Sequence, residues 1–304
     1  MVNEHIRNKI MHYLLLCSVM VVLIGFCCNS AKATENGGTS YPIGADGFLG
    51  GVLPPPGFYY VNYLAHYTTN QFNDKNGNAV PMNFHANATA NASRFVYQTP
   101  INFLGGQLGA YAYFILAHVS ADTSIGSKSK TGFGDTSIGV YNSWHFNKNF
   151  HAAAAVECII PTGSYHKNDV INIGRNYFSI LPVFVYTYLA DNGFEISQKL
   201  MYDFNTRNND TQYTSGQEFH FDYAVGWHID RFTFGAAGYF VKQTTADHGQ
   251  TVTDGNYGQV FAAGPSLKWD FKSGGYAELK YMKEMLVENR PEGDKFFFKL
   301  VLPF

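Results

Sequence analysis

The stretch EFHFDYAVGWHID, Glu218 to Asp230, decides how this chain is read. From Phe219 every second residue is apolar: Phe219, Phe221, Tyr223, Val225, Trp227 and Ile229. Between them lie Glu218, His220, Asp222, Ala224, Gly226 and His228. Strict alternation makes a strand with two unlike faces. A soluble sheet would bury the apolar face. A membrane barrel turns that face to lipid and keeps the charged face in its lumen.

The neighbouring sequence chooses between the two. Twelve stretches alternate in this way, at roughly 58–69, 83–97, 107–119, 133–146, 150–161, 177–189, 194–204, 217–229, 232–243, 259–271, 275–283 and 294–304. Globular strands average about 5–6 residues, whereas a tilted membrane strand needs about 9–11, which suits most of these. The connections alternate in length. NKN (147–149), ADNG (190–193), DR (230–231) and KSG (272–274) are tight, with TPINFLGG (99–106) a long member of that set. The other set, near 70–82, 120–132, 162–176, 206–216, 244–258 and 284–293, is long and polar. A sandwich has no reason to sort loops by parity. A barrel has a rim of tight turns and a rim of longer loops. The expected fold is all-β, an antiparallel up-and-down transmembrane β-barrel of about twelve strands. Phe219 to Ile229 then face lipid on alternate positions. Ala224, on the wet face, should accept an arginine more readily than Phe221 or Val225. HANATANAS (85–93) repeats the pattern with small residues, Asn87, Thr89 and Asn91 being its polar half.

Composition agrees. Charged residues are 14% of the chain, against about a quarter in ordinary soluble domains, yet mean hydropathy is slightly negative. Interleaved apolar residues produce that combination. No basic patch suggests nucleic acid.

At the N-terminus, Arg7 and Lys9 precede an apolar run from Leu14 to Phe26, and Ala31 and Ala33 form an A-x-A site. This predicts a secretory signal peptide over 1–33, cleaved after Ala33, and hence export. Phe26 before Cys27 argues against a lipoprotein, which needs a small residue there. Cys17, Cys27 and Cys28 would leave with the signal, and Cys158 sits at an apolar alternation position as a small hydrophobe. The other end, FFFKLVLPF, is an alternating strand closing on Phe304. It resembles the terminal strand of bacterial outer-membrane barrels, an assembly signal read by the barrel-assembly machinery. The expected divisions are 1–33, an N-terminal segment over 34–57, and the barrel over 58–304.

Assigning faces yields a lumen set: Glu157, Glu195, Lys199, Asp203, Glu218, His220, Asp222, His228, Lys268, Asp270, Glu278, Lys280 and Lys299. Mixed acids and bases fit a network that merely satisfies itself, or a wall that selects solutes by charge and size. A metal site is disfavoured, because His220 and His228 are separated by more than about 25 Å along a strand. Nothing calls for a cofactor. Ser164 and His166 in PTGSYH lack the G-x-S-x-G context of a serine nucleophile, so no enzyme is expected. Before the first strand, YPIGADGFLGGVLPPPG (41–57) is rich in Gly and Pro yet apolar. It is either a periplasmic leader or a plug in the barrel mouth, with Phe48, Leu49, Val52 and Leu53 narrowing the path and Pro54, Pro55 and Pro56 stiffening it.

GADGFLGGVLPPPGFYYVNY, GFGDTSIG, IIPTGSYHKNDVINIGRNY, KLMYDFNT, SGQEFHFDYAVGWH and KYMKEMLVENRPEGDKFFFKLVLPF together resemble the outer-membrane proteins grouped as the MetA-pathway of phenol degradation, SphA-like proteins among them. The resemblance implies a bacterial outer-membrane barrel passing small hydrophobic or aromatic molecules, with membrane lipid and lipopolysaccharide around it. It implies no catalysis and no site residues. Oligomeric state stays open. A structural or adhesive barrel with a closed lumen and partner-binding loops stays open beside the channel.

Overall fold

The computed structural model describes residues 38–123, 126–249, 256–272 and 274–304. The expected signal peptide and its cleavage site lie outside them. The described strands are β1 (Gly57–Phe72), β2 (Phe84–Phe103), β3 (Gly106–Thr123), β4 (Gly126–Phe133), β5 (Thr136–His145), β6 (Phe150–Ile160), β7 (Ser179–Leu189), β8 (Phe194–Asn205), β9 (Arg207–Asn208), β10 (Tyr213–Thr214), β11 (Glu218–Ile229), β12 (Phe232–Gln243), β13 (Gln259–Asp270), β14 (Tyr276–Glu288) and β15 (Pro291–Pro303). β9 and β10 form a separate two-stranded pair in a loop, bridged through Thr214 to His248.

The rest close into one antiparallel sheet. β1 bonds both β2 and β15, and β2 bonds β3. β4 and β5 share one path, since β3 pairs with β5 from Gln107 to Tyr113 and with β4 from Leu116 to Thr123. Counted so, the described strands make a closed barrel of twelve. The path breaks at Gly134 and Asp135, and there the Asp135 carboxylate makes contacts beyond the ladder. It accepts the backbone N–H of Gly163 at 2.9 Å and of Arg175 at 2.7 Å, tying down the loop after β6.

Three connections differ from expectation. The segment 99–106 is no loop: β2 and β3 run through it, leaving Leu104–Gly105 as the turn, with φ of 46° and 74°. Positive φ at both central residues matches the twist of a two-residue hairpin. In 120–132, β3 and β4 continue as a paired polar ribbon, and in 284–293, β14 and β15 meet across Asn289–Arg290. Above the membrane both faces of a strand are wet, so nothing imposes apolar alternation on it there.

Outward residues form the lipid belt. Phe58, Tyr97, Phe103, Trp227, Phe232 and Trp269 are exposed near the tight-turn rim, where outer-membrane barrels carry an aromatic girdle. The expected faces fail on β2. Ala90 and Ala92 line the interior, while Asn91 pairs outward with Asn62, which also donates to Tyr60 Oη at 3.0 Å. A mutually bonded amide pair can sit on an outer wall, and the interior at this height needs small side chains to admit the N-terminal segment.

Candidate functional site

That segment lies inside the barrel. Tyr41, Ile43, Ala45 and Phe48 are buried, Phe48 completely. Turns at Pro42–Ala45 and Leu49–Val52 fold it back on itself. Any backbone brought into an enclosed space carries donors and acceptors that must be satisfied, and the wall supplies partners by charge. Acids take the N–H groups. Asp222 accepts from Gly44 at 2.8 Å and Asp46 at 3.0 Å, Glu278 from Phe48 at 3.3 Å, and Glu195 from Leu49 at 2.6 Å. Lysines take the carbonyls. Lys280 Nζ donates to Gly44, Ala45 and Asp46 at 2.7, 2.9 and 2.8 Å, and Lys295 to Ile43 at 3.3 Å. The Asp46 carboxylate meets Lys199 at 2.9 Å and Lys299 at 3.7 Å.

The glycines of the segment permit this approach. A Cβ on Gly51 would fall 2.5 Å from the Thr187 backbone nitrogen, while Gly51 N–H itself donates to Thr187 Oγ1 at 2.9 Å. Phe48 packs on Ala224 and Ala237, so the wall opposite the ring must be small. Ala224 is therefore filled space rather than a wet position, which removes the ground for expecting it to tolerate arginine.

The sequence-derived residues divide by partner. Glu195, Lys199, Asp222, Glu278, Lys280 and Lys299 hold the segment. Glu157, Asp203, Glu218, His220 and Lys268 are buried among wall residues: Glu157 accepts from Tyr111 Oη at 2.8 Å, Asp203 lies 2.6 Å from His220, and Glu218 3.2 Å from Arg290. His228 contacts Glu195 at 2.6 Å. Asp270 is at the tight-turn rim, paired with Lys268. Leu49, Val52, Leu53 and Pro54 line an interior cavity, but Pro55 and Pro56 are exposed at the rim leading into β1. Asp46, Arg94 and Lys295 escaped the sequence reading. Lys295 shares the parity of Lys299 and was legible. Arg94 shares the parity of the β2 alanines, so the wrong face on that strand hid it.

The interior is lopsided. Ion pairs and segment contacts crowd the β8 and β11–β14 side. Toward β1–β3 and β5–β7 lies a cavity of about 310 Å³, walled largely by Val, Ala and Tyr, reaching from Tyr59 and Pro303 near the rim to Arg94 and Lys199. A smaller one of about 40 Å³ shares Tyr63 with it and continues past Ala90, Ala92 and Tyr113.

Closure, twelve strands, an outward aromatic belt and a charged interior define an outer-membrane-type β-barrel. The family described as "Putative MetA-pathway of phenol degradation" matches over residues 69–300, and the chain belongs to it. The structure is similar to the COG4313 outer membrane channel from Pseudomonas putida F1, with a TM-score of 0.75 at 16% identity, over 83% of this chain and 97% of that one. It is also similar to the translocator domain of the autotransporter NalP from Neisseria meningitidis, with a TM-score of 0.50 at 8% identity, over 84% and 91%. At these identities the likeness is one of fold. No curated protein sequence matches the chain.

Proposed function

We propose that this protein is a passive outer-membrane channel for small hydrophobic or aromatic compounds, narrowed by its own N-terminal segment. The cavity of about 310 Å³ between segment and wall carries the reading. Its walls are mostly apolar and it lies beside a second apolar space, an arrangement suited to solutes with an apolar body rather than to small hydrated ions. Family membership and the likeness to a protein described as an outer membrane channel support it. The test is solute entry into liposomes, with single-channel conductance in planar bilayers with and without aromatic solutes. Channel activity requires aromatic solutes to enter faster than into protein-free vesicles and to block or modulate the current. No entry above background would end the reading.

A closed structural or adhesive barrel is favoured by one observation, the density of ion pairs clamping the segment. Against it, the exposed large apolar residues of the described long loops are Val80, Met82, Val170 and Phe178, a single aromatic among them. The same bilayer measurement separates the two.

A further inference from the structure

Arg94 has no use in what has been described. It stands on β2 between Val61 of β1 and Tyr113 of β3 in the ladder and lines the larger cavity. Its Nε is enclosed without a hydrogen-bond partner. Among the described residues no hydrogen bond or ion pair closes on its side chain, and Asp46 acts on it only through space. Its neighbours are ring faces: the Tyr111 centroid at 4.2 Å and the Tyr113 centroid at 5.1 Å from Cζ. The other charged groups on the lining, Asp46, Lys199 and Lys299, are engaged with one another. The lining thus carries three cations and one anion. The nearby Glu157 takes the hydroxyls of Tyr111 and Tyr113 on Oε2 while its Oε1 is buried without a partner, and Arg94 makes no bond to either oxygen.

A guanidinium removed from bulk water without an acceptor is costly. Its planar fork matches a carboxylate, which can take two parallel hydrogen bonds. Away from Arg94 the cavity is walled by Val61, Val96, Ala153, Val183 and Val301, which suits an apolar body. We propose that this cavity binds small amphiphiles with an anionic carboxylate head and an aromatic or short alkyl body, the head on Arg94 and the body toward the tight-turn rim. This deepens the channel reading and rests on it for its role in transport. A neutral solute of the same body leaves Arg94 unpaired and binds more weakly.

Equilibrium dialysis of the folded barrel in liposomes, corrected with protein-free vesicles, compares phenylbutyrate with phenylbutanol. Charged hydrogen bonds of this kind lead us to expect about tenfold or more in favour of the carboxylate. Arg94→Gln removes that preference, bringing the two affinities together, while Arg94→Lys retains part of it. Heat-modifiable gel mobility shows that each variant is folded. Equal affinity for the two solutes in the native protein, or a preference that survives Arg94→Gln, overturns the proposal. If Arg94→Gln does not fold, the native comparison and Arg94→Lys decide alone. Solute entry is measured separately on the same vesicles. Carboxylate preference without entry leaves the binding site standing and sinks the channel, whereas entry of both solutes without preference does the reverse.

Discussion

At the scale of single residues, Lys280 holds the segment with one ammonium on three successive carbonyls. Hydrogen bonds to charged groups are worth about 1.5–3 kcal/mol each, though not additively. Lys280→Met leaves those carbonyls bare, so protease cleavage within 41–54 should rise together with ion conductance. If both stay at native levels, the clamp contributes nothing. Asp46 ties the same stretch to Lys199 and Lys299. Asp46→Asn removes the charge both lysines face, so conductance at neutral pH should rise; a native value would mean that these contacts do not hold the segment.

At the scale of elements, β11 and β2 show two ways a strand can use its faces. On β11, Val225 faces outward while Ala224 meets Phe48. An arginine on the lipid face near mid-membrane costs about 2–4 kcal/mol. Because the space beyond Ala224 is already occupied, Ala224→Arg should be at least as damaging as Val225→Arg in urea unfolding from lipid vesicles. A markedly milder effect at Ala224 would mean that the interior there is hydrated. On β2 the outward Asn91 and its partner Asn62 form a reciprocal pair. Removing one member strands the other's polar groups, whereas replacing both with apolar side chains of similar shape can be neutral. Asn62→Leu or Asn91→Leu alone should destabilise by about 1–3 kcal/mol, and the double substitution by less than either. Additive losses in a double-mutant cycle would show that the pair is not coupled.

For the whole molecule, closure is the property to test. A closed barrel should migrate differently on gels before and after boiling, and identical mobility would count against it. Deleting 41–54 removes the segment's contacts but none of the strand ladder, so the barrel should still fold and conduct more. Charges now facing the segment would then face water. If the shortened protein folds but conducts as the intact one does, the segment is not the constriction. At the far end, Phe304 exposes its ring while its N–H closes onto the Phe58 carbonyl at 3.0 Å. If it is an assembly signal, its deletion should lower insertion well beyond the effect of deleting a loop residue such as Gly77.

Sequence alone determined the fold wherever the membrane imposes it. Lipid on one side and a polar interior on the other force period-two alternation, and that made β6, β8, β11 and β12 legible to within a residue or two. The polar ribbon above the membrane at 120–132 escaped because water on both faces leaves no such pattern. The face of β2 escaped because Ala, Asn and Thr differ too little in hydropathy to say which side is which. The charged residues of the lumen could be listed from parity, but their purpose could not. Asp222 and Lys280 are partners of a backbone about two hundred positions away in sequence, and no local pattern encodes that pairing. Arg94 is the sharpest case. Alternation puts it on the strand, but only the closed barrel decides that it faces a largely apolar cavity, where Asp46 is bonded to lysines and no carboxylate pairs with the guanidinium.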